Sequence, residues 1–347
     1  RDEAKDYLEA ARMIATYLNE PLDFPYRHLS RLVQLPRQDI PTFANRVTAL
    51  AVSADLRYLC WAYPDGTLTL WDIAQSRPVQ TWKHTTQEMQ NAGKTSLHLA
   101  FVGPQSKTLL VCNETAEAPH LSVWTLHSEG TMAPLANLPA VFQSPWLRCA
   151  TSPDGRFSCV EHRDGTVLLW DWFEQKVAAQ TRWPQSVKEM HVRTLPSGCE
   201  VAFATRDGTV GLWDGRSPPR MLPPLDNSSR ITSLAFTAEG KIALGSNTGL
   251  WILEKGKQWK QQGNSPVRWV FSSPHGLLTY VKPGRFSLQQ EARFWEWPVV
   301  EHGEITTAAL DANGRLLCTA GEDGFVRLWR IPGDPHELGV LQVPLIQ

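Results

Sequence analysis

The nearest thing to a chemical motif in this sequence is His162-Arg163-Asp164, the three letters of a kinase catalytic loop. It runs straight into Gly165-Thr-Val-Leu-Leu-Trp170, a turn and a strand, and the other kinase elements are missing, so it reads as structure rather than catalysis. No His-Glu-x-x-His, Gly-x-Ser-x-Gly or phosphate-loop Gly-Lys-Ser/Thr occurs. The six cysteines (60, 112, 149, 159, 199 and 318) stand singly, with no Cys-x-x-Cys and no zinc spacing. They read as buried reduced thiols of a cytoplasmic protein. Each Asp-Gly turn offers one carboxylate where calcium needs several oxygens. The sequence therefore calls for no metal and no cofactor, and the expectation is a non-enzyme. A discontinuous active site would need acids and histidines converging from distant positions, which linear spacing does not reveal.

The elements that would hold such residues are repetitive. Pro64-Asp-Gly-Thr-Leu-Thr-Leu-Trp71-Asp72, Arg163-Asp-Gly-Thr-Val-Leu-Leu-Trp170-Asp171, Arg206-Asp-Gly-Thr-Val-Gly-Leu-Trp213-Asp214 and Glu322-Asp-Gly-Phe-Val-Arg-Leu-Trp329 are near copies. Asp65, Asp164, Asp207 and Asp323 each open a tight turn, read here as a two-residue hairpin with positive φ at both positions. A period-2 strand ending on tryptophan follows. Three weaker units carry Trp124, Trp251 and Trp295. Leu253 competes with Trp251 for the tryptophan position, and Trp297 competes with Trp295. The marks are 34 (295 to 329) to 53 (71 to 124) residues apart, near the roughly 40–45 of a four-stranded blade. Seven marks predict seven blades. Upstream turns such as Ser152-Pro-Asp-Gly-Arg156 and Asp311-Ala-Asn-Gly-Arg315 supply a second hairpin per unit.

In this order of strand, turn, strand, Asp-Gly turn, strand and tryptophan, the chain resembles the WD40 β-propeller family over about residues 45–345, within a propeller domain expected at 45–347. The resemblance implies an all-β, seven-bladed ring. Members of that family usually place a Gly-His pair before the first strand, whose histidine joins the turn Asp, a Ser/Thr and the tryptophan. No Gly-His dipeptide occurs here, so the four turn aspartates are expected to find local backbone donors or water.

Bulk composition adds limits. Across 347 residues, 34 basic side chains face 35 acidic ones, so net charge indicates no large nucleic-acid or membrane footprint. No apolar run reaches the length of a membrane span. Residues 1–20 carry Ala4, Tyr7, Leu8, Ala11, Ile14 and Leu18 at helical spacing, an amphipathic helix stopped before Pro21. Its apolar stripe would dock on the ring or belong to a missing helical domain of a longer protein. Residues 21–44 read as a connector. Either Arg31–Leu35 within it or Glu337–Val343 would supply the ring's closing strand, the latter being the simpler choice.

Function is then expected at surfaces. The implied ring geometry places Arg46, Tyr63, Trp146, His162, Arg163, Arg206, Arg230, Arg268, Trp269, Tyr280 and Glu322 on or near one face. Arginine and aromatic residues are the types enriched at binding hot spots. The long stretches Lys83–Lys94 and Asn113–His120, with Lys282–Glu291, offer further candidate loops. The expected role is a protein-interaction scaffold, or a target sensor within a larger multidomain protein, whose partner is a protein or another domain of the parent. A nucleic-acid-binding ring using an arginine-rich mouth is the alternative.

Overall fold

The computed structural model describes residues 37–42, 46–84, 97–113, 120–128, 130–135, 139, 142, 146–183, 186–225, 229–254, 258–274, 276–281, 285–290, 293–298 and 304–331. They form seven antiparallel four-stranded sheets. Blade 1 is Ala49–Val52, Tyr58–Ala62, Thr67–Asp72 and Arg77–Lys83, and blade 2 is Leu97–Val102, Thr108–Asn113, His120–Leu126 and Met132–Pro134. Blade 3 is Trp146–Thr151, Phe157–His162, Thr166–Asp171 and Lys176–Arg182. Blade 4 is Val187–Leu195, Gly198–Thr205, Val210–Trp213 and Arg220–Met221. Blade 5 is Ile231–Phe236, Ile242–Ser246, Gly249–Leu253 and Trp259–Gln262. Blade 6 is Val267–Ser273, Gly276–Val281, Arg285–Gln290 and Arg293–Pro298. Blade 7 is Ile305–Leu310, Leu316–Gly321 and Phe325–Arg330, completed by Arg37–Pro41 from the other end of the chain.

That last pairing corrects the expected closure. Phe325–Arg330 is flanked on one side by its own blade and on the other by Arg37–Pro41, which leaves no edge for a C-terminal strand. Ile40 is buried at 1% exposure, and Asp39 faces the buried Arg327 across the ladder. The two strands anticipated for this place, 31–35 and 337–343, lie outside the described residues, as does the helix expected at 1–20.

Alternation explains the burial. A strand inside a blade has a neighbouring blade on each side, so both of its faces need apolar residues. Tyr58–Ala62 and Leu316–Gly321 are buried throughout, whereas the outer strand Lys176–Arg182 is mostly exposed. Apolar side chains gather into seven clusters, one per blade junction. Leu169 meets Phe203 between blades 3 and 4, Phe286 meets Trp329 between 6 and 7, and Leu328 meets Leu59 between 7 and 1. A ring of seven such junctions is closed.

The turns differ from the anticipated hairpin. Gly66 donates its N–H to Tyr63 O at 3.0 Å while Tyr63 N–H donates to Thr67 O at 2.8 Å. This is a three-residue loop in which only the glycine, at φ 76°, is left-handed. Asp65 keeps negative φ, which frees its side chain to cap the turn. Gly211 serves differently: a Cβ there would strike the ring of Phe203, so the Gly in Thr-Val-Gly-Leu-Trp makes room for an aromatic of the adjacent strand.

Candidate functional site

Each inner strand begins, and each second strand ends, at the edge that carries the Asp-Gly turns. All eleven candidate residues stand at that edge of their blades, but their exposures split them. Arg46, Arg163, Arg206, Arg230 and Glu322 are exposed. Arg268 and Trp269 are half-buried. Tyr63, Trp146, His162 and Tyr280 are buried at 2–5% exposure, and the three aromatics lie in the clusters at blade junctions. Tyr63 Oη accepts the Trp61 indole N–H at 2.9 Å. Trp146 lies in the core between blades 2 and 3. Tyr280 packs on Trp269 and Phe286, with ring centres 5.0 and 4.9 Å apart. The sequence carries no marker that separates these inward aromatics from surface ones, because both sit at strand ends.

Arg268 has structural work that spacing could not disclose. Its guanidinium lies 4.4 Å over the Trp269 ring, pairs with Glu304 at 2.7 Å and donates to Ile305 O at 2.9 Å. The inner strands of blades 3 to 7 all bulge at the second residue, which turns that side chain toward the next blade. Lys188 donates to Ile231 O, Thr232 to Val267 O, Arg268 to Ile305 O and Thr306 to Val47 O. Blades 4, 5 and 6 thus hold the first inner-strand carbonyl of their successor, and blade 7 holds a carbonyl just ahead of the blade 1 inner strand. Blade 3 has Leu147 at this place and uses another device: Glu161 Oε1 accepts the Val187 N–H at 3.1 Å. Burial, partly opposed by that N–H and by Arg148, raises the Glu161 carboxyl above its usual range.

The turn carboxylates find local donors, as expected, but they are less buried than a carboxylate set within a ring would be. Asp65 takes the Thr67 N–H at 3.0 Å and hydroxyl at 2.8 Å, and Asp164 takes the same pair from Thr166 at 2.9 Å each. Both side chains are more than half exposed. The Thr166 bonds hold the Asp164 carboxyl below the usual range. Asp207 is bonded by the Thr205 hydroxyl and the Thr209 N–H. Asp323 departs from the pattern and is bonded by Arg327.

A histidine does complete one tryptophan set, without a preceding glycine. His84 is 5% exposed, and its Nδ1 lies 2.9 Å from Ser122 Oγ, which accepts the Trp124 indole N–H at 2.8 Å. In blade 7 the Trp329 indole donates to Thr319 at 2.9 Å with no histidine needed. His84 follows Lys83 instead of a glycine, so the sequence lacks the dipeptide that would mark it.

Two weak repeats also resolve. Trp170, Trp213 and Trp329 pair with the second-strand residue opposite the sixth position of the inner strand, and Trp71 pairs with Leu59 opposite Val52, the last residue of a shorter inner strand. By that ladder the blade 5 place belongs to Leu253, with Trp251 two residues earlier on the same side and its indole near Ser246 and Thr248. In blade 6 the place belongs to Gln289, opposite Leu277. Trp295 and Trp297 lie on the outer strand Arg293–Pro298, so neither is the repeat tryptophan. The stretch read as a loop at 282–291 contains the third strand Arg285–Gln290. Of the other two insertions, 85–94 and 114–119 lie outside the described residues.

Among the described residues, no three His, Cys, Asp or Glu side chains come close enough to share a metal ion, and all six cysteines are buried and outside any disulfide. No helix among them is long and apolar enough to cross a membrane.

Fold and turns together define a seven-bladed β-propeller with tryptophan-terminated blades. A family model described as WD domain, G-beta repeat matches residues 298–330, a stretch that holds three of the four strands of blade 7. The chain thus carries a WD40 repeat within a seven-bladed ring, a kind of ring that generally acts as a non-catalytic scaffold. It is similar to the Protein LST8 homolog of Drosophila melanogaster, 24% identical over 268 residues, covering 77% of this chain and 73% of that protein. It is also similar to Periodic tryptophan protein 2 of Arabidopsis thaliana, 25% identical over 228 residues, or 60% of this chain and 24% of the relative. Telomerase protein component 1 of Rattus norvegicus is 24% identical over 226 residues, 56% of this chain and 8% of its own length. The chain thus spans only a quarter of the Arabidopsis relative and less of the rat one.

Proposed function

We propose that this ring is a non-catalytic interaction module that binds a protein partner, or another domain of a longer parent protein, through the face bearing the Asp-Gly turns. The observation that carries this reading is the separation of roles among the eleven candidates. Buried aromatics and the bulged side chains fix the blades to one another, while Arg46, Arg163, Arg206, Arg230 and Glu322 stay exposed on the same face. A rigid platform with exposed arginines suits an acidic or phosphate-bearing partner surface. The naming of one relative as a telomerase component fits a place within an assembly.

Affinity capture with the intact protein, compared with an Arg163→Glu/Arg206→Glu/Arg230→Glu variant, tests this. The expected result is loss of a defined set of protein partners with the ring still folded. Unchanged capture would overturn the assignment of this face. Binding to RNA that falls steeply with salt would instead favour the nucleic-acid alternative.

A further inference from the structure

On the opposite face, between blades 5 and 6, lies a cavity of about 270 Å³ whose lining includes Glu239, Lys241, Ile252, Glu254, Leu277 and Gln289. Its origin is a missing tryptophan. In blades 1, 3, 4 and 7 the third-strand tryptophan points toward the preceding blade and fills the junction. Gln289 stands in that register position in blade 6, pairing with Leu277. Its amide nitrogen donates to Gln262 of blade 5, and its Oε1 is buried without a hydrogen-bond partner.

The rest of the lining specifies what fits. Ile252 and Leu277 are apolar and buried. Glu239 and Glu254 are the more exposed, and Lys241 Nζ reaches them at 3.0 and 3.4 Å. Two carboxylates against one ammonium leave a net negative charge. Small-molecule pockets run to about 300–1,000 Å³, so this one suits a single side chain. The occupant should carry several donors, a positive charge and an apolar stem. Guanidinium presents its donors as a planar fork that can meet an amide oxygen and a carboxylate together, which a single ammonium does less well.

We propose that this cavity receives an arginine side chain of a partner polypeptide, with the guanidinium toward Gln289 Oε1 and the glutamates and the methylenes along Ile252 and Leu277. The site is separate from the arginine-bearing face and does not depend on the reading of that face.

The test is a titration of N-acetyl-arginine methylamide into the intact protein carrying labelled isoleucine and leucine methyl groups. Expected are saturable shifts of the Ile252 and Leu277 signals, with the neutral citrulline analogue binding at least about tenfold more weakly, as loss of a charge-assisted pair implies. Gln289→Trp, which restores the side chain used by other blades, should abolish the shifts. Should that variant misfold, Glu254→Gln at a surface position is expected to weaken binding by about tenfold. Absence of saturable shifts, equal binding of citrulline, or undiminished binding to the folded variants would overturn the proposal.

Discussion

The junction between blades 3 and 4 and the junction between blades 5 and 6 answer the same geometric demand with different material. At the first, Trp183 stacks on Phe203 with ring centres 4.1 Å apart, and Trp213 meets Trp183 edge-on at 6.3 Å. At the second, Ala235, Ala243, Val267 and Val270 form the core, and a glutamine stands in the tryptophan place. Both sheets keep their full backbone ladders. The tryptophan is therefore not required to build a blade. It is a wedge between blades, and its replacement opens space at a junction without interrupting a strand.

Trp213→Ala is the severest way to break this contrast. It should cost about 3–5 kcal/mol, the range for a buried aromatic truncated to Ala, measured by denaturant unfolding. A loss below about 1 kcal/mol would mean that the two junctions depend equally little on the wedge. Gly211→Ala should cost about 1–3 kcal/mol by crowding Phe203, and the same unfolding curves report it. Thr232→Val removes the hydroxyl bond to Val267 O at the blade 5–6 junction, where about 1 kcal/mol is expected from one hydrogen bond. A null effect there would make the bulge bonds incidental.

A pH comparison sharpens the contrast further. Glu161, raised by burial, keeps its proton in the folded state to a higher pH than when unfolded. Its contribution to stability is complete below the unfolded value and declines as pH rises through the folded one. Glu161→Gln keeps an acceptor for Val187 N–H and cannot ionise. Unfolding at about pH 4 and about pH 8, below and above the ordinary glutamate value, should show the variant gaining on the parent protein only at the higher pH. Thr232→Val should show no such pH dependence.

The sequence made the ring and its blade number legible, because the Asp-Gly turn and terminal tryptophan recur with every strand between them. It was less informative about direction. Period-2 alternation tells which residues share a side of a strand, but in a ring both sides are buried. Trp146, Tyr63 and Tyr280 therefore looked like surface candidates, and only neighbouring blades showed that they were core. Trp295 misled for a related reason: an outer strand can also carry tryptophan, so the type alone does not name the strand. Gln289 carries no mark in the sequence, because the repeat is legible through its tryptophan and not through the place that tryptophan fills. Arg37–Pro41 escaped notice since its ladder partner lies nearly three hundred residues away, and its one deeply buried apolar residue, Ile40, is flanked by Asp39 and Pro41.

The shared blade also sets a schedule for biogenesis. Six sheets draw only on contiguous sequence and can assemble while later residues are still being synthesised. Arg37–Pro41 must wait, edge unsatisfied, until Phe325–Arg330 arrives with Arg327 to meet Asp39 and Asp323. Such a distant pairing is slow to form, and the exposed strand is open to pairing with another copy in the interval.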